Sequence, residues 1–143
     1  MTENESNSPA GDALASPALR YVVLRHDGIP DPHFDLMIES RPGGPLYTWQ
    51  CGQNPVTQYA TPAKRIANHR RHYLDYEGPV SGGRGHVTRV AAGCGRFRRV
   101  KNRVWWWEAG PEALYNAYWI APGPVVKNSR LWIIEGLSRP LEE

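Results

Sequence analysis

The sequence predicts a mainly β protein, an antiparallel sheet or barrel with little helix. Three observations carry this. Short apolar runs rich in Val, Ile, Tyr and Trp recur along the chain. Several of them alternate polar and apolar residues with a period of two. Gly and Pro, 14 and 13 of the 143 residues, punctuate the gaps. Many short strands between such breakers fit a sheet folded on itself better than a helical bundle.

The first 17 residues, Met1 to Pro17, are rich in Ser, Asn, Glu, Ala and Pro and offer almost nothing to bury. Residues 1–18 are therefore expected to form a disordered tail, and 19–143 a single domain. Tyr21-Val22-Val23-Leu24 predicts a first strand ending at His26. After a Gly/Pro turn, His33 to Glu39 alternates cleanly and predicts a second. Its His33, Asp35, Met37 and Glu39 share one face, and Phe34, Leu36 and Ile38 the other. The turn cluster Arg41 to Pro45 and the run Leu46 to Trp49 complete a hairpin pattern. Pro62 to His72 is the least β-like segment and reads as a short helix or turn. His86 to Val90, a less regular stretch from Arg99 to Trp107, and Leu131 to Glu135 read as further strands, with a helical turn or two at Pro111 to Ala117. Of Trp105, Trp106 and Trp107, consecutive on a strand, at least one is expected to pack in the core.

A chain of this length builds one core without disulfides. Cys51 and Cys94 stand far apart with no Cys-x-x-Cys pairing, which argues against a disulfide framework or a cysteine zinc site and for a reducing cytoplasm. No apolar run reaches the roughly 20 residues that span a bilayer, and no signal-peptide pattern precedes the strands, so no membrane partner is expected. The net charge of +3, carried mostly by Arg, suits a phosphate-bearing partner as well as it suits an ordinary soluble surface.

Chemistry concentrates in two segments. In the first, His26, His33 and Asp35 bring two imidazoles and a carboxylate from neighbouring segments, a candidate site for a divalent metal such as manganese or zinc. The competing explanation for His33 and Asp35 is the polar face of a half-buried strand. In the second, Asn68 to Tyr73 packs imidazole, guanidinium and phenol into six positions, a mixture suited to a phosphoryl group or simply a solvated basic loop. The glycine-rich Ser81 to Gly85 lacks the Gly-Lys-Ser/Thr ending of a P-loop and reads as a tight turn with Arg84 projecting.

Together these blocks resemble the 3'-phosphoesterase domain of bacterial ATP-dependent DNA ligase D, the DNA polymerase/ligase N-terminal domain family. The matching stretches are Arg25-His26-Asp27, His33-Phe34-Asp35-Leu36-Met37-Ile38-Glu39, Leu46-Tyr47-Thr48-Trp49, and Asn68-His69-Arg70-Arg71-His72-Tyr73 running on to Glu77-Gly78. Their order and spacing match over residues 21 to about 90. The chain is similar to a short stand-alone member, without polymerase or ligase domains. The resemblance implies a small antiparallel β-barrel with one or two short helices. It also implies a manganese-dependent enzyme that removes a 3'-ribonucleoside and then the 3'-phosphate in DNA repair. By position, His26, His33 and Asp35 are then the metal ligands, with Mn2+, or another divalent ion such as Zn2+, as cofactor. His69 and Tyr73 are the catalytic groups at the scissile phosphate. Arg25, Arg65 and Arg84 are the candidate phosphate-binding residues. DNA or RNA-containing 3' ends are the expected substrate, and DNA ligase or end-joining proteins the expected partners.

Three departures qualify the resemblance. The family places an Arg two residues after the metal-binding Asp, where this chain has Met37, and a Lys just after the Trp, where it has Gln50 to Gln53. The glycine-rich loop carries Arg84 where the family has an acidic residue, so Arg84 or Arg65 is the candidate replacement charge. Two missing cations amount to several kcal/mol of transition-state stabilisation, at roughly 3 kcal/mol for one anion-stabilising donor. The alternative is therefore a catalytically weakened nucleic-acid-binding or protein-interaction module that keeps the barrel.

Overall fold

Nine strands make up most of the described residues. A computed structural model describes residues 18–107 and 110–137. The strands are β1 (Ala18–Asp27), β2 (His33–Glu39), β3 (Leu46–Cys51), β4 (Ala60–His69), β5 (Gly78–Pro79), β6 (His86–Val100), β7 (Arg103–Trp107), β8 (Ala117–Val126) and β9 (Ser129–Gly136). Helical structure is limited to two 3-10 turns, Pro55–Thr57 and Arg71–Leu74. No described helix is long and apolar enough to cross a membrane.

All pairings are antiparallel, in the order β1-β2-β3-β4-β9-β8-β7-β6-β5. β1 also pairs with β6 from Ala18↔Arg96 to Asp27↔His86, so the sheet closes on itself as a ring with β5 hanging from β6. The mainly β architecture with two short helical turns is the one the sequence predicts.

Because side chains alternate across a strand, the ring has an inner and an outer face. The inner face gathers apolar residues from around the ring, including Tyr21, Val23, Leu36, Ile38, Trp49, Ala63, Phe97, Trp106, Tyr118, Ile120 and Ile134. Trp106 is fully buried there, stacked on Phe97 at 5.5 Å, edge-on to Tyr21 at 4.6 Å and 5.1 Å from Tyr118. Its neighbour Trp105 lies on the opposite face against Trp119, as strand alternation requires. The outer face carries a second apolar cluster, Val22, Leu24, Met37, Leu46 and Val87, capped by Leu74 of the second 3-10 turn with Tyr73 and Tyr76 alongside.

Three sequence expectations need correction or placement. Pro62 to His72 is mostly strand: β4 runs from Ala60 to His69 before the 3-10 turn begins at Arg71. Its alternation is masked because the inward positions are Thr61, Ala63 and Arg65, small or charged residues with no apolar signature. Pro111 to Ala117 forms turns and bends rather than helix, leading into β8. The expected disordered tail, residues 1–18, lies outside the described residues except for Ala18, which opens β1.

Candidate metal centre

Strand alternation places His26 on the outer face of β1, with Val22 and Leu24. His33 and Asp35 lie on the same face of β2, and His26 and His33 are Cα partners across the two strands. Their ligand atoms, with those of Asp35, all lie within 4.8 Å of one another. His33 Nε2 stands 3.4 Å from Asp35 Oδ2, and the two imidazoles meet edge to face at 5.1 Å.

Backbone carbonyls orient both rings. His26 Nε2 lies 2.8 Å from the Arg84 carbonyl and His33 Nδ1 lies 2.9 Å from the Asp31 carbonyl. A carbonyl only accepts, so these nitrogens carry the protons and donate. That leaves Nδ1 of His26 and Nε2 of His33 as the lone-pair nitrogens. Metal-binding histidines are held in this way by a hydrogen bond from the other ring nitrogen.

The loop supplying the Arg84 carbonyl reaches His26 through glycine. Gly85 has φ +77, and a Cβ there would stand 2.1 Å from the Asp27 carbonyl oxygen. Gly28, in the turn between β1 and β2, has φ +75 and faces the Gly85 backbone at 3.1 Å from an added Cβ. The two turns approach so closely that one of them must lack a side chain.

Asp35 is only 4% exposed, and its Oδ1 has no hydrogen-bond partner. Burial pushes its carboxyl pKa up, against the pull of His33, His69 and His26. A buried carboxylate oxygen without a donor is costly, and a cation relieves that cost. The donor set of two imidazole nitrogens and one carboxylate, with this orphaned oxygen, fits a divalent transition metal.

His69, the last residue of β4, and Tyr73 of the 3-10 turn flank the group. Their rings meet edge to face at 5.6 Å, and His69 is close enough to act electrostatically on Asp35. His69 Nδ1 donates to the Ala67 carbonyl at 3.0 Å, which leaves Nε2 available. Met37 shares the face of His33 and Asp35 but is 1% exposed, packed in the outer apolar cluster with Leu74 and Tyr73. It anchors the segment that carries Tyr73.

The three candidate phosphate arginines are not gathered at the triad. Arg25 projects from the opposite face of β1, paired with Asp27 at 2.8 Å and lying over the Phe34 ring. Arg65, an inner-face residue of β4, lies over Tyr47 and Trp49. The Arg84 guanidinium turns back onto Ser81, and only its carbonyl reaches the site. Sequence reasoning passed over Lys64. Asp35 pairs with Gln50 and Gln50 with Lys64, so one row crosses three strands on the outer face and ends in an exposed cation. The signal was the even spacing of Lys64 from Pro62, legible only once β4 is known to be a strand.

The fold and site thus define a mainly β protein with a candidate two-histidine, one-aspartate metal group on the outside of a strand ring. No protein-family model matches the chain, and no curated protein matches it.

Proposed function

We propose that this chain is a metal-dependent phosphoesterase that trims nucleic-acid 3' ends in repair, removing a 3'-ribonucleoside and then the 3'-phosphate. The carrying observation is the convergence of His26, His33 and Asp35, with both rings oriented by carbonyls and His69 beside them. His26, His33 and Asp35 would hold the ion, and the mixed nitrogen and oxygen set suits manganese, with zinc as the alternative. When bound, a divalent ion supplies Lewis-acid polarisation of a phosphoryl oxygen and a water acidified toward neutrality.

The chain's own residues do the rest. His69, its Nδ1 proton held by the Ala67 carbonyl, presents Nε2 to the scissile phosphate and, when protonated, donates to the leaving oxygen. The Tyr73 hydroxyl, on a turn pinned to the outer apolar cluster, donates to a nonbridging oxygen. Lys64, at the end of the Asp35–Gln50 row, offers a positive charge along the approach of the strand.

A second reading is favoured by a separate observation: Met37 is buried in place of an anion-binding cation, and Arg25 and Arg84 are engaged elsewhere. It makes the chain a catalytically weakened module that binds nucleic acid or proteins of end joining, DNA ligase among them. Incubating protein and Mn2+ with a primer–template ending in a 3'-monoribonucleotide or a 3'-phosphate separates the two. Trimming by wild type that is lost in His33→Ala and His69→Ala supports the enzyme. Salt-dependent DNA binding that survives chelator, with no product, selects the binding module.

A further inference from the structure

On the inner face, toward the end of β2 away from His33, lies a cavity of about 190 Å³. Its walls are apolar, formed by Leu19, Ile38, Phe97 and the Trp49 ring, while Ser40 and Arg99 supply polar groups. Two of those lining residues carry buried donors without partners: Trp49, 1% exposed, at Nε1, and Ser40 at Oγ. Unsatisfied buried donors are rare in folded proteins, and two bordering one cavity point to something that accepts hydrogen bonds.

Charge points the same way. Arg99 borders the cavity, and the Arg65 guanidinium lies over Tyr47 and Trp49, two of its wall residues, at 4.8 and 5.0 Å. Burial first, and then the nearby Arg99 charge, push the Arg65 pKa down. Among the described residues neither guanidinium has a carboxylate partner. Glu39 also borders the cavity, but its carboxylate is committed: Oε1 to the Arg20 amide at 2.7 Å, Oε2 to Arg71 at 2.5 Å and to the Gly43 amide at 3.2 Å. One guanidinium on the lining of an apolar hole, a second over two of its wall rings, and two unpaired donors on lining residues together call for an anion.

Volume sets its size. An apolar cavity of about 150 Å³ holds benzene, so this one has room for a single ring and one small anionic group. We propose that the cavity binds a small organic anion with a planar apolar body, a monocyclic aromatic carboxylate, whose carboxylate meets Arg99 and Arg65 and whose ring packs on Leu19, Ile38 and Phe97. Guanidinium forks match carboxylate geometry, and the indole Nε1–H and Ser40 hydroxyl complete the donor set. The site is on the other face of β2 from the His26–His33–Asp35 group and stands without any reading of that group.

Titration of the 15N-labelled full chain with benzoate, benzamide and acetate tests this by NMR. Benzoate is expected to shift the Trp49 indole resonance saturably. Benzamide lacks the charge and acetate lacks the ring, and each should bind roughly tenfold more weakly or worse. Arg99→Gln, at an exposed position, should weaken benzoate about tenfold, and Arg65→Gln should do the same as an independent check. His33→Ala should leave benzoate binding unchanged, which separates this site from the metal centre. No Trp49 shift at about 10 mM benzoate, a concentration tenfold above a millimolar Kd, overturns the proposal. So does benzamide binding as tightly as benzoate, or unaltered binding by both arginine variants.

Discussion

Gly85→Ala probes the joint between the glycine-rich loop and the candidate metal group. Two costs follow from the backbone. With φ at +77, any side chain is held in the left-handed region, which costs about 1 kcal/mol or slightly more. The added Cβ would also stand 2.1 Å from the Asp27 carbonyl oxygen, against the 3.0 Å that real Cβ contacts respect. About 0.9 Å must be found by moving the end of β1 or the loop, because the obstructing atom is backbone. The Arg84 carbonyl, one residue away, moves with the loop and releases His26 Nε2 from its 2.8 Å bond. The expected total is about 2–3 kcal/mol of stability, read from urea unfolding of the metal-free protein. Losing a partner of this kind to a ligating histidine costs roughly 10- to 100-fold in metal affinity, read from free Mn2+ by electron paramagnetic resonance. Gly43→Ala is the control, since Gly43 has φ +79 but an added Cβ meets nothing within 4 Å. It should lose only the conformational cost, about 1 kcal/mol, and keep native Mn2+ affinity. If Gly85→Ala behaves like Gly43→Ala in both assays, the loop does not orient His26 and the reasoning fails.

Three more outcomes are expected. Trp106→Ala, which empties the middle of the ring, should cost about 3–5 kcal/mol by denaturant titration; a loss under about 1 kcal/mol would contradict its place in the core. Met37→Arg restores the cation the resemblance calls for, yet it puts a guanidinium into an apolar cluster. It should destabilise by about 3 kcal/mol and leave the proposed trimming no faster, so a stable, faster variant would show that Met37 faces the proposed substrate. Burial raises the Glu39 pKa, but hydrogen bonds from the Arg20 amide, Arg71 and the Gly43 amide outweigh it, so the native carboxyl titrates below its ordinary 4.5. Its stabilisation is complete above that value and is lost as pH falls through the lower native pKa. Glu39→Gln should therefore cost about 1 kcal/mol near neutrality, discounted for the half-exposed Arg71, and that deficit should vanish in acid. Urea curves at about pH 7 and pH 3 that keep the same gap between the two proteins would refute this assignment.

How much of this was legible in the sequence depends on whether a residue's role is local. The second strand was readable from His33 to Glu39 because Phe34, Leu36 and Ile38 alternate with His33, Asp35 and Glu39, Met37 alone breaking the polar row, and β2 has those bounds. The His33–Asp35 pair followed from the same period. β4 was not readable, because its inward Arg65 replaces apolar signal with charge and Pro62 suggests a break. With β4 unread, Lys64 could not be placed beside Gln50. β8 was missed too, since its sequence from Ala117 to Val126 carries two prolines and a glycine that read as punctuation. Arg84 shows another limit: the sequence displayed its guanidinium, whereas its main-chain oxygen is what touches His26. The character of the Met37 environment was hidden because Leu74, Val87 and Leu46 reach it from three distant segments.

Closure of β1 on β6 has a consequence for the order in which the protein is made. Both strands that carry the candidate ligands lie early in the chain and form a local hairpin. The oxygen that aims His26 comes from Arg84, 58 residues later, on the segment that leads into β6. Such a distant pairing costs loop entropy before it returns any contact, and contacts of this kind slow folding. A nascent chain emerging from the ribosome would thus expose a hairpin with both histidines but no fixed tautomer for one of them. Under the proposed metal reading, tight capture is tied to the docking of the Arg84 loop and β6 on β1, before β9 pairs with β4 to complete the ring.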